Sequence, residues 1–347
     1  MRAQEAKIAI YGAGAMGTVL GAFLSKGGLP VYLISRNKQH IEALKSKGAT
    51  IVCEGEGLEF TQAVNAYLPE EMEGEYDVIF LMTKQRQNTE ILKFLLPHLK
   101  EDGILCTTQN GLPEPSVANI VGKERAFGGI ATFGATFLEG GRVALTSEFA
   151  GMTMEIGGYV QGEKLALLAE ILQFVDKVRG ESGFVIVRDN FLGARWAKLA
   201  INSAFSGISA MTDWTFGEIA WRFKGRKMAL AILHECIHVA NASGIHFPKT
   251  QGYDMEKILG GDTPIGKLVA YMVLPFAIKR HRKLKSGMLR DLKQKQACDI
   301  DFVVGRVVEE GKKVGVPTPY CEKVLEIVHG IEIGKYTISP QNLRLFD

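Results

Sequence analysis

Short apolar segments alternate with amphipathic helical segments over the first part of the chain. Residues 8–11 are Ile-Ala-Ile-Tyr, and similar apolar runs occupy 31–34, 77–82 and 104–107. Runs of four to six apolar residues are typical of strands that are buried on both faces. Because helical patterns separate these runs, the sequence predicts a parallel sheet covered by helices on both sides.

The pattern changes after the last of these runs, because glycines rather than helices join the next apolar segments. These segments lie at 128–135, 140–145 and 152–156, and they predict strands that extend the same sheet. A helix over about 162–178 and one more strand at 184–187 complete this α/β half of the chain.

The second half is helical in pattern. Apolar residues recur at helical spacing over roughly 190–210, 215–242, 253–260, 265–285, 290–314 and 319–330. We therefore expect two domains, an α/β domain over residues 1–187 and a mainly α-helical domain over residues 188–347.

The first predicted strand continues directly into the segment Gly12-Ala13-Gly14-Ala15-Met16-Gly17. In such a strand–turn–helix unit Gly12 allows the tight turn, Gly14 lets a pyrophosphate approach the backbone, and Gly17 lets the helix pack on the strand. The N–H groups that begin the helix favour phosphate. This pattern predicts a Rossmann-type domain that binds a dinucleotide cofactor through these six residues. An ordinary glycine-rich turn is the alternative, because the chain contains 39 glycines.

The end of the second predicted strand indicates which dinucleotide is bound. NAD-specific sites place a carboxylate there, whereas this chain has Ser35-Arg36-Asn37-Lys38. A guanidinium can bind a 2′-phosphate through two hydrogen bonds and stack on the adenine. Arg36 therefore favours NADP(H), and a solvated basic loop is the alternative.

Composition places few further limits on function. The chain has 347 residues, of which 46% are hydrophobic and 23% charged, and its net charge is +3. Its five cysteines lack any CxxC spacing, which is typical of reduced thiols. The first residues resemble no secretory signal and no apolar run is long enough to span a bilayer, so we expect a cytoplasmic protein without a membrane partner.

One predicted helix of the second half carries a row of polar residues. Lys198, Asn202 and Ser206 follow one another at intervals of four and should share one face, while the residues between them are mostly apolar or small. A lysine there could protonate a developing alkoxide and an amide could hold a carbonyl substrate in place. The alternative is a lysine that extends to solvent beside two polar groups that are hydrogen-bonded elsewhere.

Taken together, these segments resemble the ketopantoate reductase family over nearly the whole chain. The Lys-Leu-x-x-Asn segment, combined with an Asn-Gly strand end, is more specific than the glycine turn. The resemblance rests on Gly12–Gly17, Arg36, Thr83-Lys84, Gln109-Asn110-Gly111, the glycine-rich stretch 128–157, Trp196-x-Lys198-Leu-x-x-Asn202, Ser286-Gly-Met-Leu-Arg-Asp291 and Asp299-Ile-Asp301.

The resemblance implies NADPH-dependent reduction of a small anionic 2-keto acid to a 2-hydroxy acid, first of all 2-dehydropantoate to pantoate in pantothenate biosynthesis. It implies that Lys198 is the general acid and that Lys84 and Asn110 lie beside the cofactor. The substrate contacts that it implies are Asn202, Ser206, Ser286 and Asp299. The resemblance leaves open whether the protein forms a homodimer.

Several positions on the substrate side depart from the family pattern. Ser206 and Phe216 stand where the family has asparagines, Gly287 replaces a serine, and Asp299 replaces a glutamate. Losing partners for a substrate hydroxyl removes selectivity for that hydroxyl. A related reductase of another 2-keto acid or an opine is therefore the alternative, followed by a non-catalytic NADPH-binding sensor.

Two further motifs have ordinary interpretations that we prefer. His234-Glu235-Cys-Ile-His238 matches the HExxH zinc signature, but the extended signature is absent and we expect a plain helix without metal. The basic run 279–295 lacks interleaved aromatic residues, so we expect a solvated helix face, with steering of an anionic ligand as the alternative, rather than nucleic-acid binding.

Overall fold

A computed structural model describes residues 2–53, 55–249, 254–261 and 263–346 of the chain. Its contacts divide the chain into two compact units. The N-terminal unit extends to Gln109 and resumes over Pro113–Phe191, and the helical unit combines Asn110–Leu112 with the chain from Leu192 onward. Residue 253, with which the predicted helix over 253–260 begins, lies outside the described residues, as does the side chain of Arg280.

The N-terminal unit is built on an eight-stranded sheet. Neighbouring strands are parallel except that β11 is antiparallel to β8. In sheet order the strands are β12 (Val185–Val187), β11 (Met154–Gly158), β8 (Ala126–Ala131), β7 (Leu99–Thr107), β6 (Tyr76–Leu81), β1 (Ile8–Tyr11), β2 (Val31–Ile34) and β5 (Asn65–Tyr67). The strand order reverses at β1, which is where open α/β sheets bind their ligands.

Helices cover both faces of this sheet. Along β1, Ile8 and Ile10 belong to one apolar core and Ala9 and Tyr11 to another, as the alternation of side chains along a strand requires. The helices of this unit are α1 (Ala15–Lys26), α2 (Lys38–Lys47), α3 (Asn88–Leu95), α4 (Glu114–Val121), α5 (Glu163–Leu172) and α6 (Phe174–Arg179). The predicted Rossmann-type α/β architecture is confirmed.

The prediction that all three glycine-linked runs extend the main sheet was wrong for the middle run. Strand β10 (Arg142–Leu145) pairs instead with β3 (Ala49–Cys53) in a separate four-stranded sheet that also contains β4 (Leu58–Gln62) and β9 (Ala135–Phe137). An apolar run shows that a strand is buried, but it does not identify the strand with which it pairs.

The helical unit has its own apolar core. It is built from α7 (Phe191–Ile201), α8 (Gly207–Thr212), α9 (Phe216–Trp221), α10 (Phe223–Ala242), α11 (Met255–Leu259), α12 (Pro264–Ala277), α13 (Gly287–Lys293), α14 (Ile300–Val314) and α15 (Pro319–Glu332). The single helix predicted over 290–314 is wrong, because the chain breaks between α13 and α14, where Lys295 has a φ of +54°. Within the described ranges, no helix is long and apolar enough to cross a membrane.

A buried histidine fixes α2 to the glycine-turn helix. His40 is 1% exposed, and its Nε2 lies 2.9 Å from the Thr18 hydroxyl on α1. Burial lowers the pKa of His40 to about 4, because the buried ring cannot be hydrated when it is charged. The folded chain therefore keeps this ring neutral in a range where the unfolded chain, with an ordinary pKa of about 6.5, is protonated.

The unfolded state binds one more proton than the folded state between about pH 6.5 and pH 4, so acid destabilises the fold at this site. Between pH 7 and pH 5 we expect the unfolding free energy of the wild type to fall by about 2 kcal/mol more than that of His40→Gln. Urea unfolding of both proteins at the two pH values measures this difference. An equal loss in both would show that His40 is not the responsible group.

Candidate functional site

The glycine turn is shaped by close approaches of the backbone. Gly12 has a φ of +106°, and an ideal Cβ there would lie 2.7 Å from the backbone of Met82 and of Thr83 at the end of β6. A Cβ on Gly17 would lie 2.5 Å from the Gly12 carbonyl oxygen. At Gly14, by contrast, a Cβ would meet nothing within 4 Å. The turn is thus closed by packing at two glycines and open at the third.

The open side of this turn carries the N-terminus of a twelve-residue helix. Gly14 precedes α1, whose first residues are Ala15, Met16 and Gly17, and the first N–H groups of a helix have no partner within it. These groups and the helix dipole suit a phosphate. The fold therefore fits the pyrophosphate of a dinucleotide beside Gly14 and the start of α1.

Arg36 lies in the loop between β2 and α2 and is exposed. Its Nη1 donates to the Gln87 Oε1 at 2.8 Å, so the guanidinium is held near the segment that follows β6. In the same loop Asn37 caps the N-terminus of α2, where its side chain accepts a hydrogen bond from the His40 N–H. No carboxylate occupies residues 35–38, in agreement with a site for a phosphate at this strand end.

A buried amide network joins the ends of β6 and β7. The Gln109 Nε2 donates to the Thr83 carbonyl at 2.9 Å and to the Asn88 Oδ1 at 2.7 Å, while the Gln109 Oε1 accepts from Asn88 and from Thr107. Exposed Lys84 lies next to Thr83. The sequence did not predict that Gln109 and Asn88 connect these strand ends. The only signal for it was the Gln-Asn-Gly segment that follows β7.

The residues after Gln109 belong with the helical unit. Asn110 is exposed, and Leu112 packs in the helical core, where its carbonyl accepts from the Arg306 Nη2 at 3.3 Å. Asn110 and Lys84, which we expect at the cofactor, therefore follow neighbouring strands but group with different units.

The polar row predicted on one helix lies on α7 and its continuation. Lys198, Asn202 and Ser206 are each half-buried, whereas Leu199 and Ala204 beside them are buried. Residues Asn202–Ser206 form a π-helical turn, which had no signal in the sequence. In an α-helix, each step of four residues rotates the side chain about 40° beyond a full turn. A π turn rotates less per residue, so Ser206 returns to nearly the same side of the helix as Lys198.

The remaining predicted substrate residues lie on helices that adjoin this row. Ser286 is buried and begins α13, where its hydroxyl accepts from the Met288 N–H and its own N–H donates to the Ser209 Oγ of α8. Asp299 is half-buried at the start of α14, which packs on the π turn. The structure thus gives Ser286 a capping hydrogen bond that the sequence did not indicate.

Two positions that depart from the family pattern differ in their surroundings. Phe216 begins α9 and is buried against Phe205, with ring centroids 5.5 Å apart. Gly287 is the first residue of α13, and a side chain there would meet nothing within 4 Å. Neither position supplies a side-chain hydrogen-bond donor.

Residues of the HExxH segment and of the basic run form hydrogen bonds and ion pairs within the helical unit. The Glu235 carboxylate accepts from the N–H groups of Tyr320 and Cys321, and burial raises its pKa. Within the described residues no three His, Cys, Asp or Glu side chains are grouped to hold a metal. In the basic run, Lys285 and Lys293 both pair with Asp213, which ends α8 in the left-handed region.

A parallel sheet that reverses its strand order at a glycine turn defines a Rossmann-type nucleotide-binding fold. The family model for ketopantoate reductase PanE/ApbA matches residues 8–158, and the model for the C-terminal part of that family matches residues 190–332. The chain belongs to the ketopantoate reductase family. It is therefore an NADP(H)-dependent oxidoreductase acting on a CH–OH group, which confirms the enzyme class and cofactor expected from the sequence.

Individual relatives agree with this membership. The chain is 27% identical to a 2-dehydropantoate 2-reductase of Archaeoglobus fulgidus, over 96% of this chain and all of that protein. It is 29% identical to one of Pyrococcus horikoshii, over 90% of this chain and 93% of that one. Among solved structures, D-mandelate dehydrogenase with NADH and anilino(oxo)acetate superposes with a TM-score of 0.78 at 25% identity, over 94% and 98% of the two chains.

The different surroundings of the glycines can be tested by two matched substitutions. Gly14→Ala should lower the unfolding free energy by less than about 1 kcal/mol, because it only changes a helix cap. It should raise the Kd of NADPH by roughly tenfold or more, since its methyl group displaces a charged acceptor from the N–H groups. Gly17→Ala should instead cost about 1–3 kcal/mol of stability through overpacking. Fluorescence titration and urea unfolding give both values, and unchanged NADPH binding by Gly14→Ala would contradict the phosphate site.

Proposed function

We propose that the protein reduces 2-dehydropantoate to pantoate with NADPH. The observation that carries this proposal is the row of half-buried Lys198, Asn202 and Ser206 along α7 and its continuation, where a π turn links Asn202 to Ser206. π turns are rare and often mark functional sites. A family of NADP(H)-dependent oxidoreductases and relatives named 2-dehydropantoate 2-reductases support the same reaction.

In the proposed reaction Lys198 is the general acid. When bound, the reduced nicotinamide supplies a hydride to the carbonyl carbon. The carbon–oxygen π electrons then move to the oxygen, which takes a proton from the Lys198 ammonium group. The Asn202 amide holds the substrate in place, so that the carbonyl is aligned with the proton donor. Ser206, Ser286 and Asp299 are proposed to bind the rest of the substrate.

The cofactor is proposed to be bound by the N-terminal unit. Gly12 to Gly17 would hold the pyrophosphate, with the open space at Gly14 as the supporting geometry. Arg36 would hold the 2′-phosphate that distinguishes NADPH from NADH. Lys84 and Asn110, which follow the neighbouring strands β6 and β7, would lie beside the nicotinamide.

A second candidate substrate is an apolar 2-keto acid without the hydroxyl of 2-dehydropantoate. Phe216 and Gly287 favour it, because neither side chain can bind a hydroxyl. The likeness to a dehydrogenase of mandelate, which carries an aromatic ring, is in line with it.

A substrate panel with one matched pair tests the proposal. 2-Ketoisovalerate is 2-dehydropantoate with a hydrogen in place of the hydroxymethyl group. We expect kcat/KM for NADPH oxidation to be roughly 100-fold higher with 2-dehydropantoate, since a site that binds a hydroxyl discriminates strongly against its absence. Equal values, or a higher value with phenylglyoxylate, would favour the second candidate, and no oxidation with any keto acid would overturn the proposed function.

In the same assay Lys198→Ala should lose the proton donor. We expect kcat to fall by roughly 10²–10⁴-fold, the contribution of a general acid, while the Kd of NADPH stays unchanged. Lys312→Ala, which removes an exposed lysine of α14, is the matched control and should behave as the wild type. Full turnover by Lys198→Ala would assign the acid to another group.

Arg36→Asp tests the contact with the 2′-phosphate. The carboxylate would repel that phosphate and could accept from the ribose hydroxyls of NADH, so kcat/KM should fall roughly 10- to 100-fold with NADPH and rise with NADH. Lys47→Asp introduces the same charge change at the other end of α2 and should alter neither value. An unchanged preference in Arg36→Asp would exclude Arg36 from the site.

A further inference from the structure

The helical unit contains a cavity that the proposed reaction does not use. It has a volume of about 600 Å³ and lies among α10, α11, α12 and the segment that leads into α15. None of its lining residues has a proposed role in the reaction. The volume is within the range of sites for small organic ligands, which is about 300–1,000 Å³.

Most of the cavity wall is apolar. Leu230 and Ala231 of α10 face Leu259 of α11 and Ala270 of α12, and Val316 and Pro317 close the side next to α15. An apolar surface of this kind stabilises a hydrocarbon body by removing it from water.

Two lysines and two histidines are among the polar residues that line the cavity. Lys227, Ala231, His234 and His238 follow one another at helical spacing along one face of α10, and the two imidazole rings are stacked with centroids 4.0 Å apart. Lys267 of α12 lines the same cavity. The charge arrangement therefore favours a negative group on the ligand.

Glu235, the carboxylate among the described lining residues, is compatible with a negative group on the ligand. Both oxygens of Glu235 accept from backbone N–H groups, those of Tyr320 and Cys321, at 2.8 and 2.9 Å. Because Glu235 occupies the N-terminus of α15, that helix end is not left to bind a phosphate of the ligand. A singly charged head group that lysine and imidazole can pair with fits better.

We propose that this cavity binds an amphipathic monocarboxylate, with its hydrocarbon body against the α10–α12 wall and its carboxylate among Lys227, His234, His238 and Lys267. The site is independent of the proposed reductase reaction. Its ligand is distinguished from a 2-keto acid substrate because its binding requires neither NADPH nor a keto group.

Isothermal titration calorimetry of the full chain with octanoate tests the site. We expect one octanoate to bind per chain, and affinity to rise about fourfold with each methylene from butyrate to octanoate. 1-Octanol, which has the same chain without the charge, should bind roughly tenfold more weakly or worse. Equal binding of octanol, or no binding of octanoate, would overturn the proposal.

Variants locate the binding. Ala231→Trp places an indole ring in the cavity beside the two histidines and should weaken octanoate binding strongly, and Lys267→Met at an exposed position should weaken it roughly tenfold. Lys323→Met, which removes a half-buried lysine of α15 that pairs with Glu326 outside the cavity, is the control and should bind octanoate as the wild type does. The far-UV circular dichroism and the urea unfolding midpoint should be unchanged in all three, which shows that the helical unit is folded. Full octanoate binding by Ala231→Trp would place the ligand elsewhere and overturn the assignment.

Discussion

The packing of the first βα turn against the end of β6 is the constraint on which the N-terminal unit depends. A side chain at Gly12 would overlap the backbone of Met82 and Thr83, and one at Gly17 would overlap the Gly12 carbonyl. The N–H groups of Gly12 and Ala13 both donate to the Ile34 carbonyl, which ends β2. One turn thus brings together the ends of three strands, β2, β1 and β6.

The candidate cofactor residues follow from this arrangement. Arg36 comes two residues after Ile34, and its guanidinium bonds to Gln87 beyond β6. The Gln109 amide then connects the end of β7 to Thr83, which already lies against Gly12. The strand ends are held by backbone contacts and buried amides, so the loops that carry Lys84 and Arg36 can remain exposed without losing their positions.

The first strand and the glycine turn could be predicted from the sequence because backbone geometry leaves little choice of residue there. Only glycine fits at positions 12 and 17, and only a buried strand explains residues 8–11. The second sheet was not foreseen, because pairing of β10 with β3 joins residues about 90 apart and any apolar strand could have been the partner. The π turn and the hydrogen bonds of Ser286 were also missed, since Ser and Asn occur in many local structures and their partners are set by packing.

Substrate residues are constrained in a different way. Phe216, where the resemblance leads us to expect a polar residue, packs against Phe205 and begins α9 with an intact Thr215–Glu218 capping box. Gly287, where it leads us to expect a serine, has open space around it. A side chain at Gly287 would therefore meet no clash, whereas a change at buried Phe216 would disturb its packing against Phe205. The glycine turn is recognisable in the sequence because the backbone requires it, while the proposed substrate side chains are under no such requirement, so substrate preference can diverge on an unchanged fold.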